Sequence, residues 1–174
     1  MCRMTAICRL WRLPVVFLCE NNEWASTTPY RTTTSVADIS ARACGYGIPG
    51  AIVDGNDVFA VHKAAKTAID HARAGNGPYL LEAKTYRIRG HYVGDPERYR
   101  TKAEVQERFD KSDPLKLFAK TVTGKQWLTE EDLESIRAEA AGTIEKAVGE
   151  GRKAPYPEDN ELFAGLYAEG GVTG

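Results

Sequence analysis

Residues 14–19 read PVVFLC and are followed at once by the polar residues Glu20, Asn21 and Asn22. A continuous apolar run that contains β-branched residues is typical of a strand buried on both faces of a parallel sheet. The chain reaches this run almost directly, without an earlier strand and loop in the sequence. Because binding sites in parallel sheets lie beyond the carboxyl ends of the strands, the polar residues after this run are the first candidates for function.

Two further strands alternate with a helix along the chain. Residues 51–53 (AIV) and 79–86 (YLLEAKTY) have the composition of strands, and apolar residues at helical spacing predict a helix over about residues 58–72. Alternation of strands and helices implies right-handed crossovers, so the strands should lie parallel. The sequence therefore predicts an α/β fold, a parallel sheet with flanking helices.

Four more helices are expected around this sheet. Residues 35–43 place apolar side chains on one helical face, with Ser35 as N-cap and Gly45 and Gly47 at the end. Thr129, spaced three residues before Asp132, resembles a capping box at the start of the last helix. The helices expected in the C-terminal part cover residues 102–109, 114–122 and 130 to about 148.

Composition excludes several classes of protein. The chain has 174 residues, 43% apolar and 27% charged, with a net charge of -1, which suits one domain. The balanced charge argues against a nucleic-acid or acidic-membrane partner. The longest uncharged apolar run covers only residues 13–19, whereas a membrane span needs about 20 residues.

The cysteines indicate a reducing compartment. None of the four, Cys2, Cys8, Cys19 and Cys44, has CxxC spacing, so buried free thiols are expected rather than disulfides or a zinc site. Arg9 and Arg12 interrupt the apolar core that a signal peptide would need. Together these features favour a cytoplasmic protein.

Two groups of residues could carry chemistry. The amide oxygens of Asn21 and Asn22 could bind a hard cation such as Mg²⁺, although such a pair can also serve only to turn the chain after a strand. His91 lies in an aperiodic loop over residues 87–100, where it could bind phosphate or move a proton, or could simply face solvent. His62 and His71 lie on or beside the predicted helix and are expected to be ordinary surface residues.

Other catalytic arrangements are missing from the sequence. There is no G-x-S-x-G elbow, no G-x-G-x-x-G turn and no P-loop, so hydrolase and nucleotide-kinase functions are not predicted. Glu82 and Lys84 share a strand face, but no second acid nearby makes a carboxylate pair with Glu82.

Several motifs in this order resemble one family, the alpha subunits of thiamine-diphosphate-dependent decarboxylating dehydrogenases in 2-oxo acid (pyruvate or branched-chain) and acetoin dehydrogenase complexes. The likeness covers about residues 10–167. The motifs are LWRLPVVFLCENN at residues 10–22, VDGND at 53–57, TYR at 85–87, GH at 90–91, DP at 95–96 and YRT at 99–101.

The resemblance implies specific roles for residues of this chain. Asn22 matches a side-chain ligand of magnesium, and Trp24 matches a residue whose main-chain carbonyl is a ligand. The family often has tyrosine at this position, but the main-chain carbonyl is the same for both residues. His91 matches the histidine near the diphosphate and the reactive face of the cofactor, which makes it the expected catalytic residue. Asp95 and Arg100 match residues that form hydrogen bonds within the loop.

The resemblance also implies an activity and partners. A complete enzyme of this kind decarboxylates a 2-oxo acid or cleaves acetoin, and passes the acyl unit to the lipoyl domain of an acyltransferase component. Its cofactors are thiamine diphosphate and magnesium, and it assembles with a beta subunit as an α2β2 heterotetramer. Pyruvate and acetoin are the expected substrates, in a bacterial cytoplasm.

Three departures from the family pattern shape these expectations. The family's Gly-Asp-Gly triplet is absent, and residues 1–10 diverge where an apolar helix of small residues is expected. Tyr92 replaces a phosphorylatable serine of mitochondrial pyruvate enzymes. We therefore expect residues 1–125 to form a thiamine-diphosphate-binding domain truncated at its N-terminus, and residues 126–174 a helical extension of it.

The missing triplet leaves alternatives to a working enzyme. The chain is expected to bind cofactor weakly by itself, and it could be an inactive remnant that keeps only a subunit-association surface. A flavodoxin-like binding domain would require the agreement of all the motifs to be chance.

Overall fold

The computed structural model describes residues 2–165, apart from the side chains of Cys2, Asn160 and Phe163. The chain forms two compact units, the first ending at Trp127 and the second beginning at Leu128. The elements of the first unit are α1 (Cys2–Leu10), β1 (Val16–Asn21), β2 (Trp24–Ala25), β3 (Thr28–Pro29), β4 (Gly50–Asp54), α2 (Val58–His71), β5 (Tyr79–Lys84), α3 (Lys102–Ser112) and α4 (Pro114–Gly124). The second unit contains α5 (Glu130–Lys153).

The main sheet has three parallel strands, with β5 between β1 and β4. In its register Glu82 of β5 lies beside Cys19 of β1 and Ile52 of β4. The three strands therefore end together at one edge of the sheet, and the prediction of a parallel sheet with flanking helices is confirmed. A short antiparallel ribbon, β2 and β3, follows β1 directly.

Both faces of the central strand are covered. Leu81 and Ala83 pack with Val53 under α2, while Leu80 packs on the opposite face with Ala43 and Ile48. Leu80 and Leu81 are each 1% exposed. The alternation of these residues along β5 fixes which side chains face each layer, because successive residues of a strand point to opposite faces.

The first strand differs from its prediction in two ways. It runs over Val16–Asn21, about two residues later than expected, and Leu18 is 64% exposed. Burial on both faces is therefore wrong for β1. The physical reason is that, among the described residues, no layer covers the face of β1 that carries Leu18.

A helix precedes β1, so the expectation that the chain enters its first strand almost directly is wrong. Helix α1 buries Thr5 and Cys8, which are one turn apart, and exposes Met4 and Ile7. The i, i+3 spacing of the two buried residues places them on one covered face of α1.

The helix predicted over residues 35–43 is displaced and tighter. The chain forms 3₁₀ turns over Ile39–Tyr46, so Ser35 is not the N-cap. These turns begin where the backbone N–H of Ser40 donates to the carboxylate of Glu82, a long-range bond that local sequence does not reveal. Gly47 ends them in the left-handed region at φ +63°, as expected, whereas Gly45 lies within the turns and does not end them.

The other helices agree with their predictions. The side chain of Asp57 caps α2 by accepting from the N–H groups of Phe59 and Ala60. In the second unit, Thr129 and Asp132 form the expected capping box, and α5 extends to Lys153. Residues 166–174 of the predicted extension lie outside the described residues.

Three of the cysteines are described, and all three are free thiols, as expected. Cys8 is buried and Cys19 partly buried, but Cys44 is exposed, so its predicted burial is wrong. Partial burial, and then the charges of Glu82 and Glu20, raise the pKa of the Cys19 thiol. Among the helices of residues 2–165, none has the length and apolar character needed to cross a membrane.

Replacing Gly55 with alanine is expected to lower the free energy of unfolding by about 1–3 kcal/mol. A Cβ at this position would lie 2.9 Å from the carbonyl oxygen of Lys84 and 3.3 Å from the Cβ of Ala83, and the Gly55 N–H donates to that same carbonyl. Urea unfolding followed by circular dichroism measures the change.

Gly142→Ala provides the matched control. Gly142 lies within α5, and a Cβ there meets nothing within 4 Å. Alanine in a helix interior is more favourable than glycine by up to about 1 kcal/mol, so this variant should gain stability. Equal effects of the two variants would contradict the close approach at Gly55.

Candidate functional site

The carboxyl end of β1 is turned by two asparagine side chains. The Oδ1 atom of Asn21 accepts from the N–H of Glu23 at 3.2 Å, and Oδ1 of Asn22 accepts from the N–H of Trp24 at 3.1 Å. Glu23, which lies between Asn22 and Trp24 in the sequence, adopts a positive φ of 66°. The turn-forming role considered for this pair is therefore real, but a carbonyl oxygen has two lone pairs and Asn22 keeps one for a ligand.

Main-chain bonds tie this turn to the start of the long loop. The N–H of Thr85 donates to the Asn21 carbonyl at 2.9 Å, and the N–H of Arg87 donates to the Asn22 carbonyl at 3.2 Å. The loop over residues 87–100 therefore begins in direct contact with Asn22, and it lacks regular secondary structure, as predicted.

Beneath the turn lies Glu82, a fully buried carboxylate. Its Oε1 accepts from Nδ2 of Asn21 at 2.7 Å, and its Oε2 accepts from the N–H of Ser40 at 2.7 Å. Sequence reasoning considered Glu82 only as half of a carboxylate pair and missed this contact. The available signal was a charged residue inside the apolar run YLLEA, since such residues are almost never fully buried unless they are paired.

The ring of Trp24 anchors the loop to the end of the sheet. Its centroid lies 4.9 Å from that of Tyr99 and 6.5 Å from that of Tyr86. The guanidinium groups of Arg87 and Arg100 lie 6.0 and 5.8 Å from the same ring. These aromatic and cation–π contacts join both ends of the loop to the residue that follows the asparagine turn.

Arg100 holds the loop from inside. Its side chain is fully buried, pairs with the Glu97 carboxylate at 2.6 Å, and donates to the main-chain carbonyls of Arg87 and Ile88. Burial opposes its charge, but Glu97 and then Tyr86 outweigh burial, so the pKa of Arg100 is raised. Arg100 thus has the internal loop bonds expected of it.

Asp95 organises the outer part of the loop. Its carboxylate accepts from the N–H of His91 at 2.8 Å, from the N–H of Glu97 at 2.9 Å and from the hydroxyl of Tyr99 at 2.7 Å. Gly90 is required beside it, because a Cβ there would lie 2.7 Å from the Cβ of Asp95.

Of the three predicted site residues, Asn22 and Trp24 are in direct contact, whereas His91 is linked to them only indirectly. Asn22 and Trp24 share a hydrogen bond at the end of β1. The backbone of His91 is linked to them through Asp95, Tyr99 and the Trp24 ring, while the His91 residue itself is exposed. The proposed catalytic role of His91 therefore stays a prediction.

A cavity of about 260 Å³ opens at this edge of the sheet. It is lined mainly by polar residues, among them Asn21, Glu23, Trp24, Tyr30, Lys84 and Tyr99. Of the residues predicted for the site, Asn21 and Trp24 line this cavity, whereas Asn22 and His91 are not part of its lining. Asp38 hydrogen-bonds the Lys84 ammonium and raises its pKa.

The donors at the turn suit magnesium only as a partial ligand set. Among residues 2–165, no group of three His, Cys, Asp or Glu side chains converges as a metal site. Oδ1 of Asn22 and the main-chain oxygen of Trp24 are neutral, hard oxygen donors of the kind that Mg²⁺ accepts alongside phosphate and water. The chemistry of the donor set therefore fits a magnesium–diphosphate group whose remaining ligands come from elsewhere.

The order of the outer loop is expected to depend on pH. The N–H of His91, then the Tyr99 hydroxyl and the Glu97 N–H, lower the pKa of Asp95 below the ordinary 3.8. A group with a lowered folded pKa contributes order that is complete above its ordinary pKa and is lost as pH falls through the lowered value. The amide proton shifts of His91 and Glu97 in NMR spectra should therefore titrate with a midpoint below pH 3.8.

Asp95→Asn tests the cause, because asparagine cannot accept all three bonds. This variant should shift both amide signals at every pH and remove their acid transition. A transition of the unsubstituted chain with its midpoint above the ordinary aspartate pKa would contradict the assignment.

Residues 4–160 match the family model described as the dehydrogenase E1 component. The alpha subunit of acetoin:2,6-dichlorophenolindophenol oxidoreductase from Cupriavidus necator is 44% identical over 158 residues, which are 91% of this chain and 47% of the relative. The alpha subunit of the pyruvate dehydrogenase E1 component from Rhizobium meliloti is 40% identical over 157 residues, 90% of this chain and 45% of the relative.

The Bacillus subtilis alpha subunit of acetoin:2,6-dichlorophenolindophenol oxidoreductase gives a similar result, with 40% identity over 91% of this chain and 47% of the relative. The chain thus spans about half the length of the curated relatives it matches. The resemblance inferred from the sequence motifs is confirmed, and the chain belongs to the dehydrogenase E1 component family.

Proposed function

We propose that the chain is the alpha-subunit portion of a thiamine-diphosphate-dependent dehydrogenase that decarboxylates pyruvate or cleaves acetoin and passes the acyl unit to a lipoyl group. The observation that carries this proposal is the turn after β1, where the side-chain oxygen of Asn22 and the main chain of Trp24 adjoin a loop that carries His91. The two substrates are those in the names of the relatives.

Each of these residues has a distinct part in the proposal. Asn22 Oδ1 and the Trp24 carbonyl would hold magnesium, which offsets the charge of the diphosphate. Thiamine diphosphate, when bound, supplies an electron sink for the carbon–carbon cleavage. His91 would donate a hydrogen bond to the diphosphate or move a proton near the reactive carbon, a role suited to an imidazole near neutral pH.

In the proposal, the loop over residues 87–100 positions His91 near the cofactor. Arg100 and Asp95 hydrogen-bond its backbone, and Tyr99 packs against Trp24. Tyr92 and Val93 at its outer part are exposed and next to His91. In the proposal this surface admits the lipoyl domain of the acyltransferase component, while Asp95 keeps His91 in place.

The proposal includes the assembly and the location. We propose an α2β2 heterotetramer with a beta subunit, residues 1–125 as the cofactor-binding domain and residues 126–174 as its helical extension. Cys8, Cys19 and Cys44 are unpaired, which is usual in the cytoplasm, and the relatives from C. necator, R. meliloti and B. subtilis are bacterial proteins. These features support a bacterial cytoplasmic enzyme.

Isothermal titration calorimetry tests the proposal. Thiamine diphosphate with Mg²⁺ is titrated into the chain mixed with the beta subunit from the same organism, and again after a segment with Gly-Asp-Gly has been added before residue 1. We expect weak binding by the 174-residue chain and tighter binding by the extended one, because the added aspartate completes the magnesium ligands.

The outcomes separate the enzyme from a remnant. Absence of heat in both titrations would overturn the proposed function. Turnover of pyruvate or acetoin by the mixture without the added segment would exclude an inactive remnant, whereas binding to the beta subunit without cofactor binding would indicate one.

A further inference from the structure

We infer that Glu82 is a positioning residue that sets the turn of Asn21, Asn22 and Trp24. The inference rests on the proposed function, because that turn supplies the two oxygens proposed for magnesium. It assigns Glu82 a role through Asn21 and not through contact with the cofactor.

The hydrogen bonds form one continuous path from the core to the turn. The N–H of Ser40 and Nδ2 of Asn21 both donate to the Glu82 carboxylate, each at 2.7 Å. Because Nδ2 of Asn21 is directed to Glu82, Oδ1 of the same amide is left to accept from the N–H of Glu23. The carboxylate therefore determines which way the Asn21 amide faces, and the amide holds Glu23 at its positive φ.

This arrangement is an inefficient way to stabilise a sheet. Glu82 is 0% exposed in the central strand, between Leu81 and Ala83, where an apolar side chain would avoid the penalty of burying a carboxylate. Its two partners instead fix both segments that approach the carboxyl edge, namely the turn after β1 and the 3₁₀ turns over Ile39–Tyr46. The geometry thus points to positioning of the edge as the role of this carboxylate.

The direction of the path permits a charge-swap test. In Glu82→Gln, the new amide nitrogen must face either the Asn21 or the Ser40 donor, so one bond is lost. In Asn21→Asp, two carboxylates face each other where a 2.7 Å bond now lies. In the double variant Asn21→Asp/Glu82→Gln, the new glutamine accepts from the Ser40 N–H and donates to the new carboxylate at position 21, whose other oxygen still accepts from the N–H of Glu23.

Hydrogen exchange of the Glu23 and Ser40 amides, measured by NMR on the free chain, is the first measurement. Glu82→Gln and Asn21→Asp should each raise at least one of the two exchange rates by about tenfold, the effect of losing one buried hydrogen bond. The double variant should restore both rates to within about threefold of the unsubstituted chain. Unchanged rates in Glu82→Gln, or a double variant no better than the single ones, would overturn the inference.

The second measurement separates positioning from general stability. With the beta subunit present, Glu82→Gln should weaken magnesium-dependent thiamine diphosphate binding by about 10–100-fold, and the double variant should recover it. Val122→Ala, at a residue 2% exposed in α4, lowers stability without touching the turn and should leave binding unchanged. If Val122→Ala weakens binding as much as Glu82→Gln does, or if Glu82→Gln leaves binding intact, the positioning role is overturned.

Each remaining outcome also decides the inference. If Glu82→Gln does not fold, a folded double variant supports the path and an unfolded one overturns it. If neither the unsubstituted chain nor its form with the added Gly-Asp-Gly segment binds thiamine diphosphate, the proposed function fails, and the positioning of a cofactor site fails with it. In that case the exchange rates still show whether Glu82 sets the turn, so the two failures are distinguishable.

Discussion

Replacing Arg100 with alanine is expected to lower the free energy of unfolding of the chain by about 2–4 kcal/mol, because several charge-assisted hydrogen bonds of a buried guanidinium are lost. The fully buried guanidinium pairs with Glu97, donates to two main-chain carbonyls of the loop, and lies within 6 Å of three aromatic rings. Its removal leaves the Glu97 carboxylate and both carbonyls without their donors. Urea unfolding followed by tryptophan fluorescence measures the loss.

Arg98→Ala is the matched control, since Arg98 is exposed two residues away. A surface substitution of this kind should change stability by no more than about 0.5 kcal/mol. Arg100→Lys should lose nearly as much as Arg100→Ala, because an ammonium cannot reproduce the planar fork of donors. If Arg98→Ala and Arg100→Ala have equal effects, the loop is not held by this side chain.

Much of the sheet could be predicted because its strands carry local signals. The run of residues 79–86 is apolar at most of its positions, and it forms the central strand of the sheet. The run of residues 14–19 is more apolar still, yet it becomes an edge strand with Leu18 exposed. The apolar pattern predicts that a strand forms, but the number of strands that pair with it depends on the rest of the fold.

The displaced turns before β4 show a second limit. Ser35 and the apolar spacing after it satisfy the rules for an N-cap, but the turns begin at Ile39. The Glu82 carboxylate accepts from the Ser40 N–H across 42 positions of sequence. A tertiary hydrogen bond at the start of a short element outweighs a local cap worth about 1 kcal/mol.

The sequence predicts the candidate site in outline from Asn21 and Asn22, but it does not predict that the two side chains have different hydrogen-bond partners. The sequence presents two equivalent amides, whereas the structure directs Nδ2 of Asn21 into the core, to Glu82, and leaves Asn22 half-buried in the turn toward Trp24. Alternation along a strand predicts that neighbours face opposite ways, but not which partner each finds. The buried partner of Asn21 lies 61 positions away in sequence and therefore gives no local pattern.

Replacing Asn22 with alanine is expected to weaken magnesium-dependent binding of thiamine diphosphate by at least about 100-fold, the upper range for loss of groups that orient a metal site. Asn22 Oδ1 is the one side-chain oxygen of this chain in the proposed ligand set, and its loss also frees the Trp24 N–H. Calorimetric titration of the chain with its beta subunit, preceded by the Gly-Asp-Gly segment, measures the affinity.

Trp24→Tyr separates a main-chain ligand from a side-chain ligand. The proposed donor at this residue is the carbonyl oxygen, which every amino acid has, and tyrosine keeps an aromatic ring against Tyr99 and the guanidinium groups. Its affinity should stay within about threefold of the unsubstituted chain, far from the loss in Asn22→Ala. A loss of equal size in both variants would mean that the Trp24 ring, and not its carbonyl, contributes to binding, and the ligand set proposed for magnesium would have to be abandoned.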